Sequence, residues 1–235
     1  MPWRVQVSHQ STVERVNPLA HIMVRINRVH TGTGDGGETS LLDGKRVGKE
    51  DSRVDLFGTI DELNSQIGVI RMELGRFVSG DVSEEEIAVI DECLGLVQQE
   101  LFDIGGECAC PPGSLPESVA LVGSEQGDRL VEEMDGWLMR LEPLESFILP
   151  TGSAPVASMH VARTVARRAE RSACYLRVRD GGEAVRSEVL AYINRLSDWL
   201  FVLARWFGKV SGEKETLWTP LGERKSQSDG PSSSP

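Results

Sequence analysis

Residues 183–210 read EAVRSEVLAYINRLSDWLFVLARWFGKV, and this stretch decides the class of fold. Its large apolar side chains recur every three or four residues, the spacing of one face of an α-helix. They are Val189, Ile193, Leu196, Leu200, Leu203 and Phe207. An apolar face of this length must be buried against other elements, so the stretch predicts a long helix inside a core.

The same spacing recurs in four earlier segments, and no segment alternates convincingly at a period of two, as a half-buried strand would. We predict helices over residues 52–74, 83–107, 124–141 and 153–179. Ser83 followed by Glu86 predicts a capping box, and Ser153 and Pro155 suit a helix N-terminus. Long helices joined by short loops predict an all-α fold, an antiparallel five-helix bundle.

The two ends of the chain differ from this central part. Residues 1–22 show no clear periodicity, so we expect a disordered arm there, or a chain that truly starts at Met23. Residues 221–235 are expected to form a disordered tail, because from residue 226 onward they are all Ser, Gly, Pro, Asp or Gln. One helical domain is therefore expected over residues 23–220.

Charge and composition argue against several classes of function. The 25 Lys and Arg residues stand against 36 Asp and Glu residues, and this net charge of −11 disfavours nucleic acid and anionic membranes as partners. No apolar run is long enough to span a membrane and no secretory signal is readable, so we expect a cytoplasmic protein. The cysteines lack the spacing of a redox or zinc pair and are expected to be reduced structural thiols. They are Cys93, Cys108, Cys110 and Cys174.

Several catalytic patterns are missing from the sequence. It has no Glu-x-x-His pair for a di-iron bundle, no His-Glu-x-x-His motif and no Gly-x-Ser-x-Gly elbow. Its four histidines do not make a convincing zinc site. We therefore predict no metal site built from side chains.

Residues 31–40, TGTGDGGETS, interrupt the helical pattern and are expected to form neither helix nor strand. The four glycines allow backbone N–H groups to turn toward an anion, and the Thr and Ser hydroxyls add hydrogen-bond donors. An ordinary flexible loop has the same composition, so that interpretation stays open. The segment is not a Walker P-loop, because Gly-Lys-Thr is absent and no strand is predicted before it.

The fourth predicted helix carries basic residues on one face. His160, Arg163, Arg167 and Arg171 fall at helical spacing, with Arg168 beside them. Like charges at this spacing destabilise an isolated helix, which favours a bound anion or buried carboxylates as partners. Arginine suits the forked recognition of phosphate. A solvated basic face is the alternative.

Asp61 is a polar residue that interrupts the apolar stripe of the first predicted helix. Its position indicates that it lies close to the core-facing side, where a carboxylate needs a partner. The fourth helix offers Arg163 or Arg167. Thr59 and Glu62 could instead form a capping box, a purely structural use of this segment.

Five blocks of sequence together resemble the PduO-type ATP:cob(I)alamin adenosyltransferases, and they follow the family's order over residues 30–218. The blocks are residues 31–37 (TGTGDGG), 57–65 (FGTIDELNS), 147–150 (FILP), 163–171 (RTVARRAER) and 192–198 (YINRLSD). Five separate blocks make the resemblance far more specific than any single short motif.

The resemblance implies a trimer of five-helix bundles, with sites between neighbouring subunits. It implies that the 5′-deoxyadenosyl group of ATP is moved to the cobalt of cob(I)alamin, with triphosphate leaving and Mg²⁺ assisting. A cobalamin reductase and an adenosylcobalamin-dependent enzyme are the partners that this activity implies. Cob(I)alamin is itself a strong nucleophile, so the protein needs to align the reactants and to hold the leaving charge.

The resemblance also assigns residues. The glycine-rich loop is expected to wrap ATP with Thr31, Gly32, Thr33, Gly34, Thr39, Ser40 and Lys49. Further nucleotide contacts are expected from Arg167, Arg168, Ala169, Glu170, Arg171 and Asn194. Asp61 and Arg163 match a salt bridge across the subunit interface, and Phe147 matches the aromatic residue below the corrin ring.

Two positions depart from the family pattern. Gly32 stands where the family usually has Lys or Arg, so one phosphate contact is lost or replaced by Arg28. Gly48 replaces a common proline before Lys49, which should loosen that loop. The alternative hypotheses are a nucleotide-binding bundle that delivers cobalamin without turnover, and a bundle whose arginine face binds protein.

Overall fold

Five α-helices make up most of the structure, a computed structural model that describes residues 32–78, 82–115 and 119–224. They are α1 Ser52–Arg76, α2 Glu84–Cys108, α3 Ser124–Leu138, α4 Ala154–Asp180 and α5 Ser187–Val210. The predicted all-α class with five helices is confirmed. The arm predicted over residues 1–22 lies outside the described residues. Residues 221–223 form a 3-10 turn, so the disorder expected from residue 221 onward is wrong for them.

A short β-hairpin precedes α1, with β1 Glu38–Ser40 antiparallel to β2 Arg46–Gly48. The expectation of neither helix nor strand over residues 31–40 is therefore wrong for residues 38–40. Strands of three residues are too short to display an alternating pattern, so periodicity did not reveal them. The hairpin is attached to the bundle where the Leu42 N–H donates to the Ala109 carbonyl at 3.3 Å.

The helix ends follow local capping rules. The predicted capping box of α2 is confirmed: Ser83 Oγ accepts from the Glu86 N–H at 3.2 Å, and the Glu86 carboxylate accepts from the Ser83 N–H at 3.1 Å. The alternative capping box at Thr59 is wrong, because Thr59 lies inside α1 and donates its hydroxyl to the Asp55 carbonyl at 2.7 Å. α5 starts later than predicted, because a 3-10 turn over residues 182–184 precedes it.

Two contacts of α4 show that it runs antiparallel to α1. Near the C-terminus of α4, Arg179 donates to Ser52 Oγ at 2.7 Å, at the start of α1. Nearer the middle of α4, Arg168 forms an ion pair with Glu62. α4 packs against both α1 and α5, while α2 packs on α1 and α3 packs on α5.

The core has α5 at its centre, as its apolar stripe predicts. The largest fully buried side chains are Trp199, Tyr192 and Phe207, all on this helix. The six residues of the predicted stripe are all 0% exposed. No helix in the described part of the chain is long and apolar enough to cross a membrane.

None of the four cysteines is in a disulfide; Cys108 and Cys110 are buried, whereas Cys174 is exposed and does not fit the predicted structural role. Burial raises the pKa of Cys93 and of Cys108 to about 12. A thiol with so high a pKa stays protonated near neutral pH and is a poor nucleophile or metal ligand. These two side chains therefore belong to the packing of the bundle.

Arg53, in the first turn of α1, organises the end of the bundle that carries residues 32–51, which we call the hairpin end. The residue is only 4% exposed. Its Nη1 donates to the carbonyl oxygens of Cys108 at 3.0 Å, Cys110 at 2.9 Å and Ala184 at 3.4 Å. The guanidinium thus ties the start of α1 to the end of α2 and to the connection between α4 and α5, where carbonyl groups lack helical partners.

Replacing Arg53 with methionine should lower the free energy of unfolding by roughly 1.5–3 kcal/mol, because buried carbonyls lose a charged donor. Urea denaturation followed by circular dichroism measures the change. Arg76→Met is the matched control: Arg76 lies on the same helix with its side chain 68% exposed. Its loss should stay below about 1 kcal/mol. Equal losses in the two variants would contradict the role assigned to Arg53.

Candidate functional site

The glycine-rich loop, residues 32–37, folds back over the end of the β-hairpin. The Gly37 N–H donates to the Gly34 carbonyl at 3.2 Å, and the Lys49 N–H donates to the Gly37 carbonyl at 2.8 Å. A side chain at Gly34 would bring its Cβ to 3.4 Å from Lys49 Nζ, so the glycine lets the ammonium group lie close to the loop backbone. Among the described residues, no carboxylate lies within ion-pair distance of Lys49.

Arg46 on β2 fastens this loop, and sequence reasoning missed it. Its Nη2 donates to the Thr33 carbonyl at 2.9 Å, and its Nη1 donates to Ser40 Oγ at 3.3 Å. It also pairs with Glu38 at 3.4 Å. The signal that could have found it is the cross-strand register, in which Arg46 faces Ser40.

The structure brings most of the predicted loop residues into one unit. They are Gly32, Thr33, Gly34, Thr39, Ser40 and Lys49. Thr31 and Arg28 lie outside the described residues. Gly48 pairs with Glu38 across the hairpin, and its carbonyl accepts from the Asp51 N–H at 3.1 Å. Gly48 is therefore placed by its position opposite Glu38 in the hairpin and by the hydrogen bond of its carbonyl at the start of α1.

The predicted basic face of α4 is present, but its members have different environments. Arg168 is paired with Glu62 on α1. Arg167 is exposed, and Arg171 donates to its carbonyl at 3.0 Å. Among the described residues, neither Arg167 nor Arg171 forms an ion pair, so both guanidinium charges are available to an anion.

Two further predicted residues meet across α4 and α5. Asn194 Nδ2 donates to the Glu170 carboxylate at 2.9 Å, so these two side chains hold each other beside the arginines. Ala169, in contrast, is 0% exposed and faces the core. Its side chain packs in the core, and the nucleotide contact expected of Ala169 stays a prediction.

Arg163 lies half-buried on α4, with its Nε buried and without a hydrogen-bond partner in the described part of the chain. Burial, and then the charge of Arg167, lowers the pKa of its guanidinium. The neighbouring His160 has a buried Nδ1 without a partner among those residues. Burial, and then the charge of Arg163, lowers the pKa of His160, so its imidazole is held neutral near pH 7.

Asp61 is exposed on α1, so the expectation that it lies near the core-facing side is wrong. The buried side chains of α1 on either side of it are Ile60 and Leu63, which turn Asp61 outward. No ion pair joins Asp61 to another described residue. The pair with Arg163 or Arg167 is thus absent within a single chain, and Arg163 keeps an unmet donor.

Phe147 lies at the opposite end of the bundle, in the segment between α3 and α4, and is 78% exposed. The Trp218 N–H donates to its carbonyl at 2.7 Å, and the Leu149 N–H donates to the Thr216 carbonyl at 2.8 Å. The rings of Phe147 and Trp218 meet edge to face, with centroids 6.2 Å apart. Because its side chain is so exposed, Phe147 does not pack under the start of α4.

The two ends of the site are far apart within one chain. The hairpin end lies at the C-terminus of α4, whereas Phe147 precedes its N-terminus. α4 has 27 residues, which at 1.5 Å per residue span about 40 Å. The fold of one chain therefore does not bring the glycine-rich loop and Phe147 together.

The sequence model for cobalamin adenosyltransferases matches residues 29–207, more than half of the chain. The chain belongs to this family. It is 39% identical to the cobalamin adenosyltransferase of Cupriavidus metallidurans over 198 residues, which cover 83% of this chain and 95% of the relative. It is 38% identical to the corrinoid adenosyltransferase of Mycobacterium bovis over 202 residues, which cover 86% of this chain and 97% of the relative.

Solved structures of the family share this adenosyltransferase fold. A variant of the PduO-type ATP:corrinoid adenosyltransferase from Lactobacillus reuteri, solved in complex with cobalamin and ATP, matches with a TM-score of 0.71. The identity is 31%, and the match covers 81% of this chain and 96% of the other. The predicted resemblance to the PduO-type enzymes is thereby confirmed.

Proposed function

We propose that this adenosyltransferase family member transfers the 5′-deoxyadenosyl group of ATP to the Co(I) centre of a reduced corrinoid. Its likeness to a structure that holds both cobalamin and ATP carries the proposal. The match of the family model from residue 29 to residue 207 supports it, since this range spans the glycine-rich loop, the arginine face and Phe147.

The reaction accounts for the kind of residues that the site contains. The electron pair on cobalt attacks C5′ of ATP, a Co–C bond forms, the C5′–O bond breaks, and triphosphate leaves with the bonding electrons. No proton moves in this step, so no general base is required. The protein must align the two reactants and stabilise the charge of the triphosphate.

Three cationic side chains are assigned to the negative charge of the triphosphate. Lys49, Arg167 and Arg171 form no ion pair with another described residue, whereas Arg168 is occupied by Glu62. Forked guanidinium groups and an ammonium group that lies against a glycine-rich backbone suit phosphate oxygens. We assign triphosphate binding to these three side chains and to the backbone of the loop.

Mg²⁺ fits this site only as a companion of ATP. No cluster of three or more His, Cys, Asp or Glu side chains that could hold a metal exists among the described residues. Mg²⁺ prefers oxygen ligands and is commonly bound through substrate phosphates. The metal would therefore be held mainly by the triphosphate, where it supplies additional charge neutralisation.

Arg163 and Asp61 each lack a partner among the described residues, and this supports an assembly of several chains. Arg163 has a buried Nε without a partner, and Asp61 is an exposed carboxylate without one, in the described part of the chain. A salt bridge between neighbouring chains satisfies both. The distance of about 40 Å between the hairpin end and Phe147 also suits sites completed by a second subunit. A homotrimer is the assembly we propose.

Phe147 is suited to the lower face of the corrin ring. Its exposed ring meets the ring of Trp218 edge to face. The paired segments that hold these two rings also carry the exposed apolar side chains of Leu149 and Leu217. An aromatic wall there displaces the lower axial base, which leaves cobalt four-coordinate and easier to reduce.

The chemistry also defines the partners. Because the reaction consumes Co(I), a reductase must supply the electron to Co(II), and an adenosylcobalamin-dependent enzyme must accept the product. The four free thiols suit a reducing compartment, so we propose a cytoplasmic location.

Arg167→Ala should weaken the binding of ATP with Mg²⁺ by roughly 1.5–3 kcal/mol, because one charged contact to phosphate is lost. Isothermal titration calorimetry measures the change, and the rate of adenosyl transfer should fall with it. Arg76→Ala serves as control, since Arg76 is an exposed arginine of α1 that pairs with Glu73. Absence of ATP binding to the wild-type protein would overturn the proposed function.

Asp61→Arg should weaken the trimer, because it places a positive charge opposite Arg163 of a neighbouring chain. The double variant Asp61→Arg/Arg163→Asp should restore assembly. Sedimentation velocity at micromolar concentration measures the oligomeric state. Glu62→Gln is the matched control, because Glu62 pairs with Arg168 of its own chain. A wild-type protein that sediments as a monomer rules out the trimer.

Phe147→Ala should still bind ATP, but it should leave the lower axial base on cobalt. Turnover is expected to fall much more when the assay starts from cob(II)alamin with a reductant than when it starts from pre-reduced cob(I)alamin. Electron paramagnetic resonance reports whether the bound Co(II) is four-coordinate. If both assays fall equally while four-coordinate Co(II) persists, Phe147 does not tune the cobalt.

A further inference from the structure

The segment that holds Phe147 is fixed at its base by an ion pair between the buried Arg205 and Glu215, whose side chain is 34% exposed. Arg205 on α5 is 7% exposed. Its Nε donates to the Glu215 carboxylate at 2.6 Å, and its Nη2 donates to the Glu142 carbonyl at 3.0 Å. One guanidinium thus joins α5 to two segments: the one that follows α5 and the one that leads from α3 to Phe147.

From Glu215 the chain runs directly beside Phe147. Residues 216–218 pair antiparallel with residues 147–149 through the backbone hydrogen bonds of Phe147 and Leu149. Ser146 Oγ adds a further hydrogen bond to the Trp218 carbonyl at 3.2 Å. The backbone position of Phe147 therefore depends on where residues 216–218 lie.

A second carboxylate of the same segment fixes the other flank of Phe147. The Glu213 carboxylate accepts from the Ser153 N–H, at the N-cap of α4, at 2.7 Å. It also accepts from Ser211 Oγ at 2.9 Å. The segment over residues 211–218 is therefore attached to α4, to α5 and to the backbone of Phe147.

Side-chain packing does little to orient the ring of Phe147. The residue is 78% exposed, and Trp218 is the one aromatic ring it meets in the described part of the chain. Trp218 belongs to the segment that Glu215 anchors. The orientation of the Phe147 ring thus follows from the backbone pairing and from the position of this segment.

We propose that Arg205 and Glu215 are positioning residues for the corrin site, which act by holding residues 216–218 in register with Phe147. This proposal rests on the proposed function. Because the Glu215 side chain is 34% exposed, its ion pair with Arg205 contributes little net stability, so the main effect of the pair here is geometric. Arg205 holds two segments against α5 through hydrogen bonds, which an apolar side chain cannot form.

The test compares Glu215→Ala with Glu142→Ala in the full-length protein. Glu142 is the matched control, because it meets Arg205 through its backbone carbonyl while its own side chain is 91% exposed. Glu215→Gln is the milder variant, to be used if Glu215→Ala does not fold. ATP affinity, the electron paramagnetic resonance spectrum of bound Co(II), and rates from cob(II)alamin and cob(I)alamin are measured for each.

We expect Glu215→Ala to bind ATP within about twofold of the wild type and to lose the four-coordinate Co(II) signal. The rate from cob(II)alamin should fall by at least about tenfold more than the rate from cob(I)alamin. The charge-swapped variant Arg205→Glu/Glu215→Arg should recover part of the four-coordinate signal. Glu142→Ala should behave as the wild type.

Two results overturn the proposal. One is a folded Glu215 variant that keeps wild-type four-coordinate Co(II), and the other is a folded variant that loses ATP binding together with the signal, because the effect is then not confined to the corrin site. A wild-type protein that binds neither ATP nor corrinoid is a different result, because it removes the proposed function itself. The positioning role fails alone when the wild type forms four-coordinate Co(II) and the variant does so equally.

Discussion

The close packing of α4 between α1 and α5 is the constraint on which the rest of the structure depends. Its core-facing side carries Ala162, Ala166, Ala169 and Ala173, all 0% exposed and spaced at helical intervals. Alanine side chains let two neighbouring helices approach closely, and this contact fixes the rotation of α4 about its axis. The same rotation turns Arg167, Arg168 and Arg171 outward and leaves Arg163 half-buried. Packing of small residues thereby decides which charges reach a ligand.

Sequence periodicity predicted the helices well because each apolar stripe is a local property. The six stripe residues of α5 are fully buried, and the capping box at Ser83 forms as expected. It was harder to predict which side of a helix an individual residue occupies. Adjacent residues of a helix are separated by about 100°, so an error of one position carries a side chain from the core to the surface. That is the error made for Asp61, which follows the buried Ile60.

The structural arginines were beyond the reach of sequence reasoning, because their partners are distant and mostly backbone atoms. Arg53 binds carbonyls 55 and 57 residues away, and Arg205 binds the carbonyl of Glu142. Every residue has a backbone carbonyl, so the sequence does not show which carbonyl accepts a hydrogen bond from a distant arginine. Family resemblance located Phe147, yet its exposure and its attachment to residues 216–218 emerged only from the fold. Gly32 has a φ of 70°, which glycine adopts without strain, so this departure from the family pattern matches the local backbone.

The unmet guanidinium of Arg163 has a consequence for the energetics of assembly. A separate chain carries a half-buried cation whose pKa is already lowered by burial, a sign that its charge is poorly solvated. In the proposed assembly, contact with a carboxylate of another copy would remove that penalty only in the associated state. Folding and association would then be linked equilibria, and mass action would make the thermal stability rise with protein concentration. At high dilution, the side chain assigned to the proposed interface would destabilise the isolated bundle.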